Sequence, residues 1–437
     1  MKKTLLSLFL ITGLTAGLLT GEDKISLPQA VADGLMRSLT YANSLLETEQ
    51  AEIEAEQARR SRYFSFRSGA NYLYQSETME IEISGVEIPG FISIPDRKVQ
   101  AGVHHNFDLK AGIYQPLYTG GRITGSIHLQ EIRKALAENQ SGLEKVSLSG
   151  TIKSVFFDYL ITKKSRDSLL NLKEKLEIHL HKVEDLWEEG LAGKIDVLET
   201  RARIREIELK MEDIAQILES RRIRFHRLCG HYPEEVKESY REKTGTMEEA
   251  LKYFRNHHPA YLILDRRKDL LDTQKRLAEA RTLPQISGFG EVHYGRPGVD
   301  FFKKEWMLYF QGGVTLNWTL FNGNKAEAEK KVLEKKIRQV HNHKERFLRD
   351  IRENLEKLFS RKESLKNKIS LAEKVIRDAR EETEIKAELY REKQLPNRDY
   401  LSALESLEQA KVFQKELEYR LEKVSIQINT LIAKEES

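Results

Sequence analysis

Cysteine is almost absent from these 437 residues: Cys229 stands alone. One thiol forms no intrachain disulfide and builds no zinc site by itself, so it reads as a small buried side chain near a helix end. Proline is scarce as well, nine in all, and none falls between Arg122 and Glu188 or between Lys325 and Lys393. After residue 21 no apolar run approaches the ~20 residues that a spanning helix needs, which excludes an α-helical membrane protein for the remainder of the chain. An excess of one charge is also missing. Lys and Arg number 72 against 68 Asp and Glu, and the two signs are interleaved, so nucleic acid is not an expected partner. No nucleophile–base arrangement or phosphate loop is present. His179/His181 and His341/His343 are spaced i,i+2, which points each pair to different helix faces. No enzyme activity, cofactor or metal site is therefore expected.

What is present begins at the N-terminus. Lys2 and Lys3 precede an apolar run from Leu5 to Leu19, followed by small residues up to Gly21 and then Glu22, Asp23 and Lys24. This order reads as a secretory signal peptide over residues 1–21, with an uncleaved anchor as the alternative. No cysteine lies near its end to carry a lipid.

The remainder is a duplication. Leu117-Tyr118-Thr119-Gly120-Gly121-Arg122 is echoed by Leu320-Phe321-Asn322-Gly323-Asn324-Lys325, and Asp196-Val197-Leu198 by Asp399-Tyr400-Leu401. Both 323 − 120 and 399 − 196 give 203. Ser26-Leu27-Pro28-Gln29-Ala30-Val31 is echoed by Thr246-Met247-Glu248-Glu249-Ala250-Leu251 at an offset of 220. The chain thus divides into a first repeat, 22–232, a linker, 233–245, and a second repeat, 246–437. Each repeat reads helix, strand, loop, strand, very long helix, long helix.

The expected strands alternate strictly. From Trp306 to Leu320 the even positions are apolar or glycine, while Gln311, Thr315, Asn317 and Thr319 lie between them. Val103 to Ile113 alternates likewise, with shorter versions at 64–74 and 286–294. A transmembrane β-strand reads this way, and so does a strand of a soluble sandwich, so the strands alone leave both open. The loops between them, about Glu77–Lys98 and Arg296–Lys304, carry Gly and Pro and are expected at the end away from the helices. The helices are decisive. Apolar residues recur three or four apart, as in Leu172, Leu176, Leu180 and Val183, and in Leu333, Ile337, Val340, Phe347, Ile351, Leu355 and Leu358. Proline-free stretches of this length make rods of ~100 Å, which pack sideways against partners of similar length. Shorter helices are expected at about Leu27–Arg60, Asp196–Arg227, Met247–Arg281 and Asp399–Ile432.

Four membrane strands cannot close a barrel, because the smallest have about eight, and an open edge in lipid leaves backbone groups unsatisfied. The chain must therefore associate with copies of itself. Two copies give eight strands with a filled interior; three give twelve with room for a pore.

The order and spacing resemble the TolC family of outer-membrane efflux and secretion channels. The residues that carry the resemblance are Leu27-x-x-Ala30, Gln115-Pro116-Leu117-Tyr118-x-Gly120-Gly121, Gly190-Leu191-Ala192-Gly193-Lys194-Ile195-Asp196-Val197-Leu198, Thr282-Leu283-Pro284-Gln285 and Asn317-Trp318-x-Leu320-Phe321-x-Gly323. It covers about residues 25–434. The implied fold is mainly α with transmembrane β: an internally duplicated chain gives four strands to a twelve-stranded homotrimeric barrel, and its long coiled-coil-like helices form a periplasmic tunnel. The implied function is the outer-membrane channel of a tripartite efflux pump or type I secretion system. Its partners would be a periplasmic adaptor, an inner-membrane transporter and outer-membrane lipid. The alternatives are a periplasmic adaptor itself and a structural envelope coiled coil; neither explains two hairpins each preceded by a strand pair.

The resemblance also assigns sites. Gly120, Gly121 and Gly323 mark the strand-to-helix turns, where glycine relieves steric cost. Gly190, Leu191, Gly193, Asp196 and Leu395 lie at the helical tips that would meet an adaptor. Asp399 and Ser402 would line the tunnel mouth. Family members carry a second acidic residue where Ser402 stands, so a double acidic ring is not expected, and Glu405 is a nearby candidate for the missing charge. Asp196 and Asp399 are also expected to cap the helices that follow them.

Overall fold

In the computed structural model of the chain the described residues are 24–434, apart from 86, 89–91, 94, 239–240 and 242. The expected signal peptide, 1–21, lies outside them, as does part of the 77–98 loop. Eight α-helices account for most of these residues: α1 Leu27–Arg37, α2 Leu39–Arg60, α3 Arg122–Glu188, α4 Lys194–Cys229, α5 Met247–His257, α6 Pro259–Ala280, α7 Lys325–Arg391 and α8 Asn397–Leu431. The strands are β1 Ser65–Tyr74, β2 Met79–Ile83, β3 Glu87–Ile88, β4 Ile92–Ser93, β5 Arg97–Ala101, β6 His105–Tyr118, β7 Gln285–Arg296 and β8 Met307–Asn317. Among the described residues no helix is long and apolar enough to cross a membrane.

The internal repeat is visible in the element bounds. α3 and α7 are each 67 residues long and start 203 residues apart. α1 and α2 recur as α5 and α6 at an offset of 220. The helices expected at about Leu27–Arg60 and Met247–Arg281 are each interrupted once, at Ser38 and at His258. Ser38 is extended, and its Oγ accepts the Tyr41 N–H at 3.2 Å. His258 precedes Pro259, which pushes it out of the helical region, and its Nδ1 accepts the Ala260 N–H at 3.1 Å. A second departure lies in the 77–98 segment, expected as a plain loop. β2 pairs with β5 and β3 with β4, two small antiparallel ladders. The signal was in the sequence, where Met79, Ile81 and Ile83 alternate with Glu80 and Glu82.

The chain folds as two compact units. One comprises the described residues of 1–42, 145–251 and 354–437. Its core gathers Leu27, Ala30 and Val31 of α1 against Ile152, Phe156, Phe157 and Leu160 of α3, with Phe225 and Cys229 of α4 and Tyr419 and Ile426 of α8. Cys229 is the last residue of α4 and is fully buried, where burial pushes its thiol pKa up. A second cluster joins Leu172 and Leu176 of α3, Ile204 and Ile207 of α4, and Leu401 and Leu404 of α8. Leu172 and Leu176 are among the apolar positions that the three-and-four spacing marks.

The other unit comprises 43–144 and 252–353. It holds a four-stranded antiparallel sheet in the order β1-β6-β7-β8, with β1 and β8 at the edges. The ladder runs Phe66↔Ile113, Ile113↔Gly290 and Gly290↔Gly312, so parity fixes the faces. One face carries Phe66, Tyr72, Leu109, Ile113, Val292, Tyr294, Leu308, Phe310, Val314 and Leu316, all exposed. The opposite face carries Arg67, Asn71, Asp108, Lys110, Tyr114, Glu291, His293, Tyr309 and Gln311. A largely exposed, predominantly apolar sheet face with a polar reverse is the signature of a strand set between lipid and water.

Candidate functional site

At the first tip, α3 is closed by Gly190, two residues past its end, with φ +73; its N–H donates to the Trp187 carbonyl, while the Leu191 N–H reaches back to the Leu186 carbonyl at 2.7 Å. This closes the helix in the left-handed C-terminal manner that glycine favours. At the second tip, Lys393 takes the same conformation at φ +61, and Gln394 N–H donates to Leu389 O at 2.9 Å. The two tips thus share a backbone path, although one uses glycine and the other lysine. Gly190, Leu191 and Gly193 are exposed, and Leu395 is half-buried.

The expected caps need correction. Gly193, not Asp196, is the N-cap of α4; Asp196 is the third helical residue, and its Oδ2 accepts the Gly193 N–H at 3.1 Å. In α8 the N-cap is Pro396, not Asp399. Asp399 stands where Asp196 stands, but Pro396 has no N–H to offer it. The carboxylate of Asp399 is therefore not spent on the bond that holds Asp196. Ser402 is exposed one turn further along α8. Glu405 is buried and forms ion pairs with Arg203 and with Lys210 at 3.5 Å, so its charge is neutralised between the helices rather than offered to a mouth.

The two tips are tied by a polar knot. Asn397, the first residue of α8, is buried; its Nδ2 donates to the Asp196 carbonyl and to Thr200 Oγ1, both at 3.1 Å. Its Oδ1 therefore accepts, from His179 Nε2 at 2.7 Å. The ring of His179 packs against Tyr400 at 4.8 Å and Tyr390 at 5.3 Å. Burial lowers the pKa of His179 below the ordinary histidine value. His179 is thus a core histidine, neutral and carrying its proton on Nε2.

The strand-to-helix turns fall where the sequence places them. Gly120 and Gly121 have φ +58 and +86; in the second repeat Gly323 and Asn324 have φ +67 and +59. Two successive left-handed residues reverse the chain from strand to helix, and a Cβ on Gly120 would lie 2.6 Å from that of Leu283. Aromatic side chains gather at both ends of the apolar sheet face. Tyr72, Phe107, Tyr294 and Trp306 form a contact chain with ring separations of 4.9–5.8 Å. Tyr63, Phe64, Trp318 and Phe321 are exposed at the other end, and Trp318 Nε1 donates to the Thr282 carbonyl. At the ~40° tilt of strands in outer-membrane barrels, the 11 residues of β8 would rise about 29 Å, close to the ~25 Å apolar band of such a barrel.

Solved structures match this arrangement over nearly the whole chain. The outer membrane protein VceC of Vibrio cholerae does so with a TM-score of 0.72 at 15% identity, covering 93% of this chain and 96% of that one. The outer-membrane channel OprN gives 0.73 at 17% identity, covering 95% and 94%. The fold is that of the TolC-like outer-membrane channels. The CmeC outer membrane channel of Campylobacter jejuni follows at 0.69 and 12% identity, covering 95% and 88%. No protein-family model matches the chain, and no curated protein matches its sequence.

Within this TolC-like fold, sequence reasoning missed the tip knot and the aromatic ends of the sheet. Ile195 and Leu198 were overlooked as well, although they are exposed beside Leu191 and make the first tip apolar. The aromatics were legible as Tyr63-Phe64 just before one strand, Trp306 before another and Trp318 after it. Asn397 gave no signal, because its partners lie some two hundred residues away.

Proposed function

We propose that this chain is one subunit of an outer-membrane channel. Three copies close a twelve-stranded barrel, which long helices continue into the periplasm as a tunnel. The observation that carries the reading is the four-stranded sheet of β1, β6, β7 and β8, with one face predominantly apolar, one face mostly polar, aromatics at both ends and two unpaired edges. Edges in lipid must be paired, and copies of the same sheet are the natural partners. A periplasmic adaptor or a structural coiled coil has no use for such a face.

The channel has no chemistry of its own in this reading. It passes cargo from an inner-membrane transporter and its adaptor to the exterior, as in a tripartite efflux pump or type I secretion system. Gly190, Leu191, Gly193, Asp196 and Leu395 present the tips to the adaptor, with Ile195 and Leu198 adding apolar area at the first tip. Asp399 and Ser402 line the mouth. The chain is built from two repeats, 22–232 and 246–437, joined by 233–245; the recurrence of left-handed residues at 120 and 323, 121 and 324, 190 and 393, and 230 and 433 supports this. Membrane fractionation tests the function: the protein should resist salt and alkali washes and leave the outer membrane only in detergent. Recovery in the soluble periplasmic fraction or the inner membrane would overturn it.

A further inference from the structure

The polar face of the sheet contains one buried histidine between two carboxylates. His293 of β7 is 7% exposed. Its Nδ1 lies 2.9 Å from Asp108 Oδ1 of β6, and its Nε2 lies 3.5 Å from Glu291 Oε2 and has no hydrogen-bond partner. Tyr309 of β8 stacks flat on the ring at 4.9 Å. Glu291 also accepts from the Tyr114 hydroxyl and pairs with Lys110 at 3.7 Å, and Arg67 of β1 lies over the Tyr114 ring at 4.8 Å. These are the charged and titratable groups that face His293 from the strands around it.

A neutral imidazole has one donor and one acceptor. With the proton on Nδ1, the Nε2 lone pair is buried against the Glu291 carboxylate. With the proton on Nε2, the Nδ1 lone pair is pressed against Asp108. Only the imidazolium gives each carboxylate a donor. The rest of the polar strand face is balanced, with Arg67 and Lys110 against Asp108 and Glu291. The proton on His293 therefore decides whether this face is neutral or carries a net positive charge in each subunit.

We propose that His293 sets the ion preference of the barrel interior: its charged form shifts the lumen toward anions, and its loss of the proton returns it toward cations. The inference rests on the channel reading, because it needs this face to line a pore. Three subunits act together, so a ring of three added charges forms inside a narrow, low-dielectric wall, where fixed charge acts strongly on passing ions.

The test is the reversal potential of the purified trimer in planar bilayers under a salt gradient, compared at about pH 8 and about pH 5. Wild type should become severalfold more anion-permeable as the pH falls. His293→Gln should lose most of that response and stay near the high-pH value. His293→Lys should hold the low-pH preference at both pH values. Trimer mass in detergent checks that each variant assembles. A full pH response retained in either variant would overturn the role of His293 while leaving the channel intact. Absence of any conductance in wild type would overturn the channel reading and this inference with it.

Discussion

Asn397 accepts a 2.7 Å hydrogen bond from His179 across 218 residues of chain. The bond links the helix that enters the first tip to the helix that leaves the second, and the same amide donates to Thr200 and to the Asp196 backbone. Replacing Asn397 by Leu leaves the buried Nε2–H of His179 without its acceptor, while Thr200 Oγ1 keeps only its bond to the Asp196 carbonyl, at a cost of about 1–3 kcal/mol for the unsatisfied group. Amide exchange should accelerate in both tips at once, around 194–200 and 389–400. Exchange that speeds up in only one tip would show that the knot does not couple them.

His258 gives the fold a pH dependence of known sign. Burial pushes its pKa down to about 4, and its neutral Nδ1 caps α6 by accepting from Ala260. The unfolded chain takes up the proton near the ordinary value of ~6.5, before the folded chain does. The stability that the neutral ring contributes is therefore complete above that value and declines as the pH falls toward about 4. Protease resistance of the α5–α6 junction should follow this window. His258→Asn, which keeps a capping acceptor without a titrating ring, should flatten the response near the junction; an unchanged profile would assign it to other groups.

Lys393 occupies a left-handed conformation that costs a side-chain-bearing residue about 1–2 kcal/mol. Lys393→Gly should tighten the second tip by up to about 1 kcal/mol, since glycine's larger unfolded-state entropy offsets part of the relief. Gly190→Ala should loosen the first tip by about 1–2 kcal/mol. Limited proteolysis at the tips reads both, and the two changes should have opposite signs. Equal destabilisation by both would contradict the shared backbone path.

Asp399 is the remaining candidate for charge at the mouth, because Glu405 is neutralised by Arg203 and Lys210 and Ser402 carries no charge. Three copies of Asp399 brought together at the tunnel mouth would attract cations. Asp399→Ala should weaken cation selectivity and block by multivalent cations added from the tip side. Asp196→Ala, whose carboxylate is bound to Gly193, should change conductance less and disturb adaptor docking more. Unaltered selectivity in Asp399→Ala trimers would place the mouth charge elsewhere.

The sequence carried the architecture because its periodicities are long and local. The proline-free spans Arg122–Glu188 and Lys325–Lys393 each emerged as one helix, the first with those bounds and the second ending two residues earlier, at Arg391. Parity along Trp306–Leu320 assigned the sheet faces correctly, since a strand's two faces are written in alternate residues. The interruptions at Ser38 and His258 carry weak local signals, since serine breaks a helix only mildly and the second is marked by Pro259 alone. Side-chain caps are the common device, which is why the sequence suggests Asp196 and Asp399 as N-caps; in the structure Gly193 and Pro396 start the helices through backbone geometry. The tip knot and the His293 cluster were illegible, because each joins residues that only the pairing of distant segments brings together.

The account rests on the open sheet closing with copies of itself, and native mass spectrometry of the detergent-extracted protein tests this most directly. The predicted result is one dominant species at three times the subunit mass, stable at low concentration as expected when edge strands β1 and β8 are hydrogen-bonded between subunits. A stable monomer or dimer under the same conditions would contradict it.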